Sequence, residues 1–237
     1  MIAEPVEQIE TVELTRHRFS VADYMLMAKV GLLREDERVE LIWGEVVERE
    51  GGKRRLFSVG DYLCLAESGI LQEHERIELI RGEIVTMSPI EVPHASTLNR
   101  LVWLLTSALG KQVILSIQNP LQLSEESMPQ PDVAVLGFQD HFYSEHHPKP
   151  EDTLLIVEVA DTSLRYDRRI KAPLYSAASI ADYWIVNLAE RQIEVYREPR
   201  PTGGYRTMTI YSPGNTLSPL AFADVILGVD EILGPSD

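Results

Sequence analysis

Leu154-Leu155-Ile156-Val157-Glu158-Val159-Ala160 is an apolar run with one acid inside it. The run is short, β-branched and bounded by polar residues, so it reads as a buried strand. Upstream, Pro131-Asp132-Val133-Ala134-Val135-Leu136 reads the same way, with an acid at its head. An ionised carboxylate is costly to bury unless it is paired or bound to a cation. A glutamate inside an apolar strand rarely serves packing.

Two acids at neighbouring strand ends make a seat for a hard, oxygen-loving ion such as Mg2+. Lys171 follows thirteen residues after Glu158, in a segment that reads as helical. An acid, an acid and a lysine in that order suggest metal-assisted phosphodiester hydrolysis. Asp132 and Lys171 also have plainer explanations. Asp132 after proline is a common strand start. Asp167, Lys171 and Tyr175 share i, i+4, i+8 spacing, so the lysine could form only a surface pair with Asp167. His141, His146 and His147 fall in a polar loop without a cysteine partner, and the reading there is a solvated loop rather than zinc.

Working outward, a second helix is expected over about 93–109, where Leu98, Leu101, Val102, Leu105 and Leu109 recur at helical spacing. Strands are expected near 112–118, 131–136 and 154–160, with a polar loop at 139–152. A helix follows over about 167–178, with Pro173 in its first turn or kinking it. Strands near 182–187 and 191–197 form a hairpin, 205–210 adds another, and 222–233 reads as a closing helix. Tyr183 and Trp184 read as core. This mixed order argues for an α/β or α+β fold with a central mixed β-sheet flanked by helices.

The N-terminal region carries a duplication. Residues 19–47 align with 57–85 at a constant offset of 38, with 17 of 29 positions identical. Each copy reads as helix, turn and two strands. In the second copy Ser58 caps the helix, Gly69 stops it, and Arg81-Gly82 turns a hairpin. Two copies are too few for a solenoid. Only the second copy precedes the acidic strands, so residues 1–56 are assigned to an N-terminal extension and 57–237 to the catalytic domain.

The chain is 237 residues long, 44% hydrophobic and 25% charged, which is ordinary for a protein that fills a core. No apolar stretch approaches a membrane span, the start lacks the pattern of a signal peptide, and Cys64 has no partner for an intrachain disulfide. A cytoplasmic location is expected. A net charge of −15 opposes general nucleic-acid affinity. Arg165, Arg168, Arg169 and Lys171 nevertheless form a local basic rim. No glycine-rich phosphate loop and no G-x-S-x-G elbow occurs, against kinases and α/β-hydrolases.

At several points the sequence resembles the Uma2 family (DUF820), restriction-endonuclease-like proteins of the PD-(D/E)xK nuclease superfamily. The matching stretches are Glu78-Leu79-Ile80-Arg81-Gly82-Glu83-Ile84, His94 at a helix start, Pro131-Asp132, Val157-Glu158-Val159-Ala160-Asp161-Thr162-Ser163, Tyr166-Asp167, Lys171, Tyr175 and Asp182-Tyr183-Trp184-Ile185-Val186. The resemblance implies a four-stranded mixed core flanked by helices and an endonuclease using Mg2+ or Mn2+, most naturally on DNA. It implies Asp132, Glu158 and Glu78 as metal ligands, Lys171 as the catalytic lysine beside these acids, and His94 as an accessory residue. It also allows a homodimer, since double-strand cutters often pair two sites by symmetry. Two departures stand out. The superfamily lysine normally lies two residues after the strand glutamate, where this chain has Ala160. Ser179 stands where the family favours glycine. The competing expectation is a catalytically inactive binding or regulatory module that keeps the fold.

Overall fold

The computed structural model describes residues 14–72 and 74–235. Both sequence repeats fold alike. Helix α1 (Val21–Lys29) leads to a hairpin of β1 (Val39–Ile42) and β2 (Glu45–Glu48). Helix α2 (Val59–Glu67) leads to β3 (Ile77–Ile80) and β4 (Glu83–Thr86). Ser20 and Ser58 each close a capping box with an aspartate three residues on, satisfying N–H groups that a helix start leaves open. Both hairpins turn through two residues of positive φ, Trp43-Gly44 and Arg81-Gly82, which matches the twist of the flanking strands.

The remainder builds the sheet. Helix α3 (Val92–Leu109) starts next to Pro93 at a position where its missing N–H costs nothing. Then follow β5 (Val113–Ile117), β6 (Val133–Gly137) and β7 (Thr153–Ala160). A broken helix comes next: α4 (Leu164–Tyr166), a π-helical turn (Asp167–Lys171) and α5 (Ala172–Ala177). β8 (Asp182–Asn187), β9 (Gln192–Pro199), β10 (Tyr205–Tyr211), the short β11 (Thr216–Leu217) and β12 (Leu227–Gly228), and α6 (Val229–Leu233) complete the chain.

Six strands form one mixed sheet in the order β10-β9-β8-β7-β6-β5. Only β7 and β8 run parallel; α4 and α5 form the crossover that a parallel pair requires. The sheet is wider than the four-stranded core implied by the resemblance, because β9 and β10 extend it beyond the parallel pair. On one face Leu155, Val157 and Val159 pack with Leu101, Leu105, Trp184 and Ile232 under α3 and α6. On the other face Ile156 and Ala160 pack with Tyr175, Tyr183 and Ile185 under α5. Glu158 points to this second face.

Two sequence expectations need correction. The closing helix over 222–233 is helical only at Val229–Leu233. Gly228 sits in extended conformation as its N-cap, its N–H donating to Glu231 Oε2 at 3.0 Å, and Leu227-Gly228 pairs with Thr216-Leu217. The helix expected from 167 begins at Leu164 and widens before Pro173. In a regular α-helix the Pro173 ring would meet the carbonyl four residues back. The π turn avoids this, with Ala172 N–H donating to the Asp167 carbonyl five residues earlier.

The first copy lies against its twin. Phe19, Met27, Leu32 and Val39 share one apolar cluster with Phe57, Tyr62, Leu65 and Leu79. Its hairpin differs in surroundings. Leu79 of β3 pairs with Met128, and Gly82 N–H donates to the Glu126 carbonyl at 2.7 Å. These contacts fasten the second hairpin to the loop before Asp132.

Candidate active site

The register of β6 and β7 pairs Val133 with Val157. One step further along the same antiparallel ladder stand Asp132 and Glu158, both on the face toward α5. The Asp132 N–H donates to Glu158 Oε2 at 3.3 Å, and Asp132 Oδ2 accepts from Val159 N–H at 2.9 Å. His94, in the first turns of α3, lies 2.9 Å from the same Oδ2 through Nε2. Gln118, just past β5, donates to Oδ1 at 3.0 Å.

Lys171 hangs from the π turn over Glu158. Its ammonium donates to Glu158 Oε1 at 2.8 Å and lies 3.6 Å from Glu78 Oε2. It is 2% exposed, so the surface pair with Asp167 is not what forms. Tyr175, one helical turn on, donates to Glu158 Oε1 at 2.8 Å. Glu78 arrives from β3, held by the Tyr166 hydroxyl at 2.7 Å and the Gln130 N–H at 3.1 Å. Asp167, also buried, accepts from Ser163 Oγ at 2.6 Å.

Glu78, His94, Asp132, Glu158 and Lys171, the five residues singled out from sequence, therefore line one cleft of about 250 Å³. Asp161, Arg165, Tyr166 and Asp167 line it too, as do Leu14 and Thr15 from ahead of the first copy. Sequence reasoning missed the roles of Gln118, Gln130, Tyr166 and Tyr175. Gln130 precedes Pro131-Asp132 directly, and Tyr175 shares the Lys171 helical face. Those positions were the available signals. Tyr183 and Trp184 are fully buried, as expected of core residues.

The charges are unequal. Burial raises the Asp132 carboxyl, but the His94 hydrogen bond and charge, the Lys171 ammonium and the Val159 N–H outweigh it and hold the group below its ordinary value. Burial lifts Glu158 to about 8, against the pull of Lys171 and with a push from Asp132. Burial lifts Asp167 to about 6. Burial works against the Lys171 ammonium, yet Glu158, Glu78 and Asp167 raise it well above its usual value, so it stays charged. Adjacent carboxyls pushed in opposite directions can divide the tasks of anion and proton carrier.

Among the described residues no group of three or more His, Cys, Asp or Glu side chains is arranged to hold a metal ion. Glu78 reaches the cleft, but its oxygens are engaged by Tyr166, Gln130 and Lys171. Asp132 and Glu158 each keep one oxygen with a single hydrogen bond, Oδ1 to Gln118 and Oε2 to the Asp132 N–H. His94 Nδ1 is buried without a hydrogen-bond partner. The donors left over are hard oxygens from two carboxylates, which fits an ion that completes its shell with water and phosphate. No described helix is long and apolar enough to cross a membrane.

No match is found among curated proteins. Among solved structures the fold is similar to that of "a putative nuclease belonging to DUF820" from Anabaena variabilis ATCC 29413. The TM-score is 0.59 and the identity 12%, over 75% of this chain and 97% of the other. The likeness is in fold. The family model described as "Uma2: Putative restriction endonuclease" matches residues 59–230, well over half the chain, and the chain belongs to that family.

Proposed function

We propose that the chain is a metal-dependent endonuclease acting on DNA, with Asp132 and Glu158 holding the ion. Membership of a family described as restriction endonucleases supports the nuclease class. The observation that carries the reading is the placement of Lys171. Its ammonium sits 2.8 Å from Glu158 although the chain has Ala160 where a strand-borne lysine would stand. The helix thus delivers the cation to the carboxylate that the strand provides.

Mg2+ or Mn2+ bound there would supply a Lewis acid that polarises the scissile phosphate and acidifies a bound water. The protein's own groups do the rest. Asp132, held anionic by His94 and Val159, anchors the cation. Lys171 neutralises charge that develops on the phosphate, from a dry position where such stabilisation is strong. Glu158 offers Oε2 to the ion, while its Oε1 is held by the Lys171 ammonium and the Tyr175 hydroxyl. Glu78 acts as a positioning residue through Lys171 and Tyr166.

The test is cleavage of supercoiled plasmid with Mg2+ beside the Asp132→Ala variant, together with calorimetry of Mg2+ binding. Metal-dependent strand breakage lost in the variant supports the enzyme. A net charge of −15 favours the second reading, a binding or regulatory module on a nuclease fold. No cleavage and no ion binding would establish that reading instead.

A further inference from the structure

The two repeats contact each other reciprocally. Arg16 pairs with Val85 and, at the offset of 38, Arg54 pairs with Val47. Thr86 N–H donates to the Thr15 carbonyl at 2.8 Å, and Glu48 N–H to the Lys53 carbonyl at 2.8 Å. His17 N–H donates to Ile84 at 2.9 Å, and Arg55 N–H to Val46 at 2.9 Å. The side chains obey the same rule. Arg16 donates to Glu83 at 3.0 Å and Arg54 to Glu45 at 3.0 Å. Phe19 meets its own equivalent, Phe57, with ring centroids 5.8 Å apart. When residue i of one unit touches j of the other and j touches i, the contact is the isologous kind that joins two subunits of a dimer.

Each repeat also gives its leading strand to the other's hairpin. Neither unit completes its own third strand, and alone each would present an open edge to a second chain. We propose that residues 14–48 serve as a built-in substitute for a second subunit, occupying the face through which the catalytic unit would otherwise pair with another copy of itself. The substitute brings no chemistry of its own. Glu40, the equivalent of Glu78, is exposed, and the first copy is followed by no counterpart of Asp132, Glu158 or Lys171. It does bring structure, since Leu14 and Thr15 on the exchanged strand form part of the cleft wall. The homodimer expected of a double-strand cutter is therefore replaced by a monomer with one site. Resting on the endonuclease reading, this makes the chain a single-strand nicking enzyme.

Three measurements on the full chain test this. Sedimentation should give 26.8 kDa at every concentration up to that of the assay and above. An Arg16→Cys, Val85→Cys pair in a Cys64→Ser background should oxidise within one chain. The hydrogen bonds on either side make this a non-hydrogen-bonded cross-strand pair, with Cα atoms about 4.5 Å apart and close enough to bridge. Plasmid should accumulate as nicked circles, first order in protein, with linear DNA appearing only later. A dimer in sedimentation, a disulfide between chains, or linear product without a nicked intermediate overturns the proposal. Absence of any cleavage sinks the nuclease reading alone, because the monomer mass and the intrachain disulfide still report on the substitute subunit.

Discussion

Asp132 and Glu158 stand opposite one another at the end of an antiparallel ladder, the backbone N–H of the first donating to the carboxylate of the second at 3.3 Å. Backbone pairing, rather than flexible side-chain reach, sets their separation. The cation partner comes from a different layer. Lys171 is carried by the helix above the sheet, and its ammonium closes a buried network with Glu158 and Glu78.

Lys171→Met should abolish phosphodiester cleavage while keeping the fold. It removes one partner of a buried ionic network, a change that typically costs about 3–5 kcal/mol. Urea unfolding followed by circular dichroism measures the loss. A variant as stable as wild type would contradict the burial and pairing described for this ammonium.

Tyr175→Phe deletes the hydroxyl that donates to Glu158 Oε1 at 2.8 Å and leaves the ring in the core. A hydrogen bond to a charged group is worth about 1.5–3 kcal/mol, and the variant should lose stability near the low end because Glu158 can take a proton. If denaturant midpoints coincide, the phenol contributes nothing to holding the carboxyl.

Glu194 predicts the acid limb of stability. Burial raises its carboxyl, but hydrogen bonds from Arg168, Tyr196 and Asn187 overcome this and hold it below the ordinary 4.5. Its stabilisation is therefore present above about pH 4.5 and is lost as pH falls through the depressed folded value. Glu194→Gln should be less stable at pH 7 by about 2 kcal/mol, with the gap to wild type closing below pH 4.5. Parallel stability curves for the two proteins from pH 7 to 3 would refute this.

Ser179 adopts φ 65°, a conformation that costs a side-chain-bearing residue about 1–2 kcal/mol. A positive φ is the conformation that suits glycine, and the serine here is the departure noted in the sequence. Ser179→Gly relieves the strain but loosens the unfolded chain, an opposing effect of about 0.4–1 kcal/mol. The net expectation is a gain of about 0.5 kcal/mol, read as a higher thermal midpoint. A lower midpoint would count against it.

The carboxylates were legible because a charge inside an apolar strand has few uses, and Asp132 and Glu158 each break such a run. The helices and hairpins were legible from periodicity and from capping serines such as Ser58. The reach of Lys171 was not. It depends on the π turn before Pro173; the proline signals a departure from regular helix but not the direction in which the wider turn aims the side chain. Gln118 and Gln130 were hidden for another reason, since neutral amides in loops are ordinary until a carboxylate is seen beside them. The pairing of Thr15 with Thr86 was hidden by distance along the chain, which local propensity does not encode.

The wide turn under Lys171 also bears on how the protein fails. Asp132 and Glu158 ride on the six-stranded sheet and the ammonium rides on the overlying helix, where Ala172 and Tyr175 pack against Ile156, Ala160 and Ile185. Heat or denaturant that slackens this interlayer contact separates the cation from the acids while the six strands still hold together. Inactivation should therefore run ahead of global melting, and the activity lost in that interval should return on cooling.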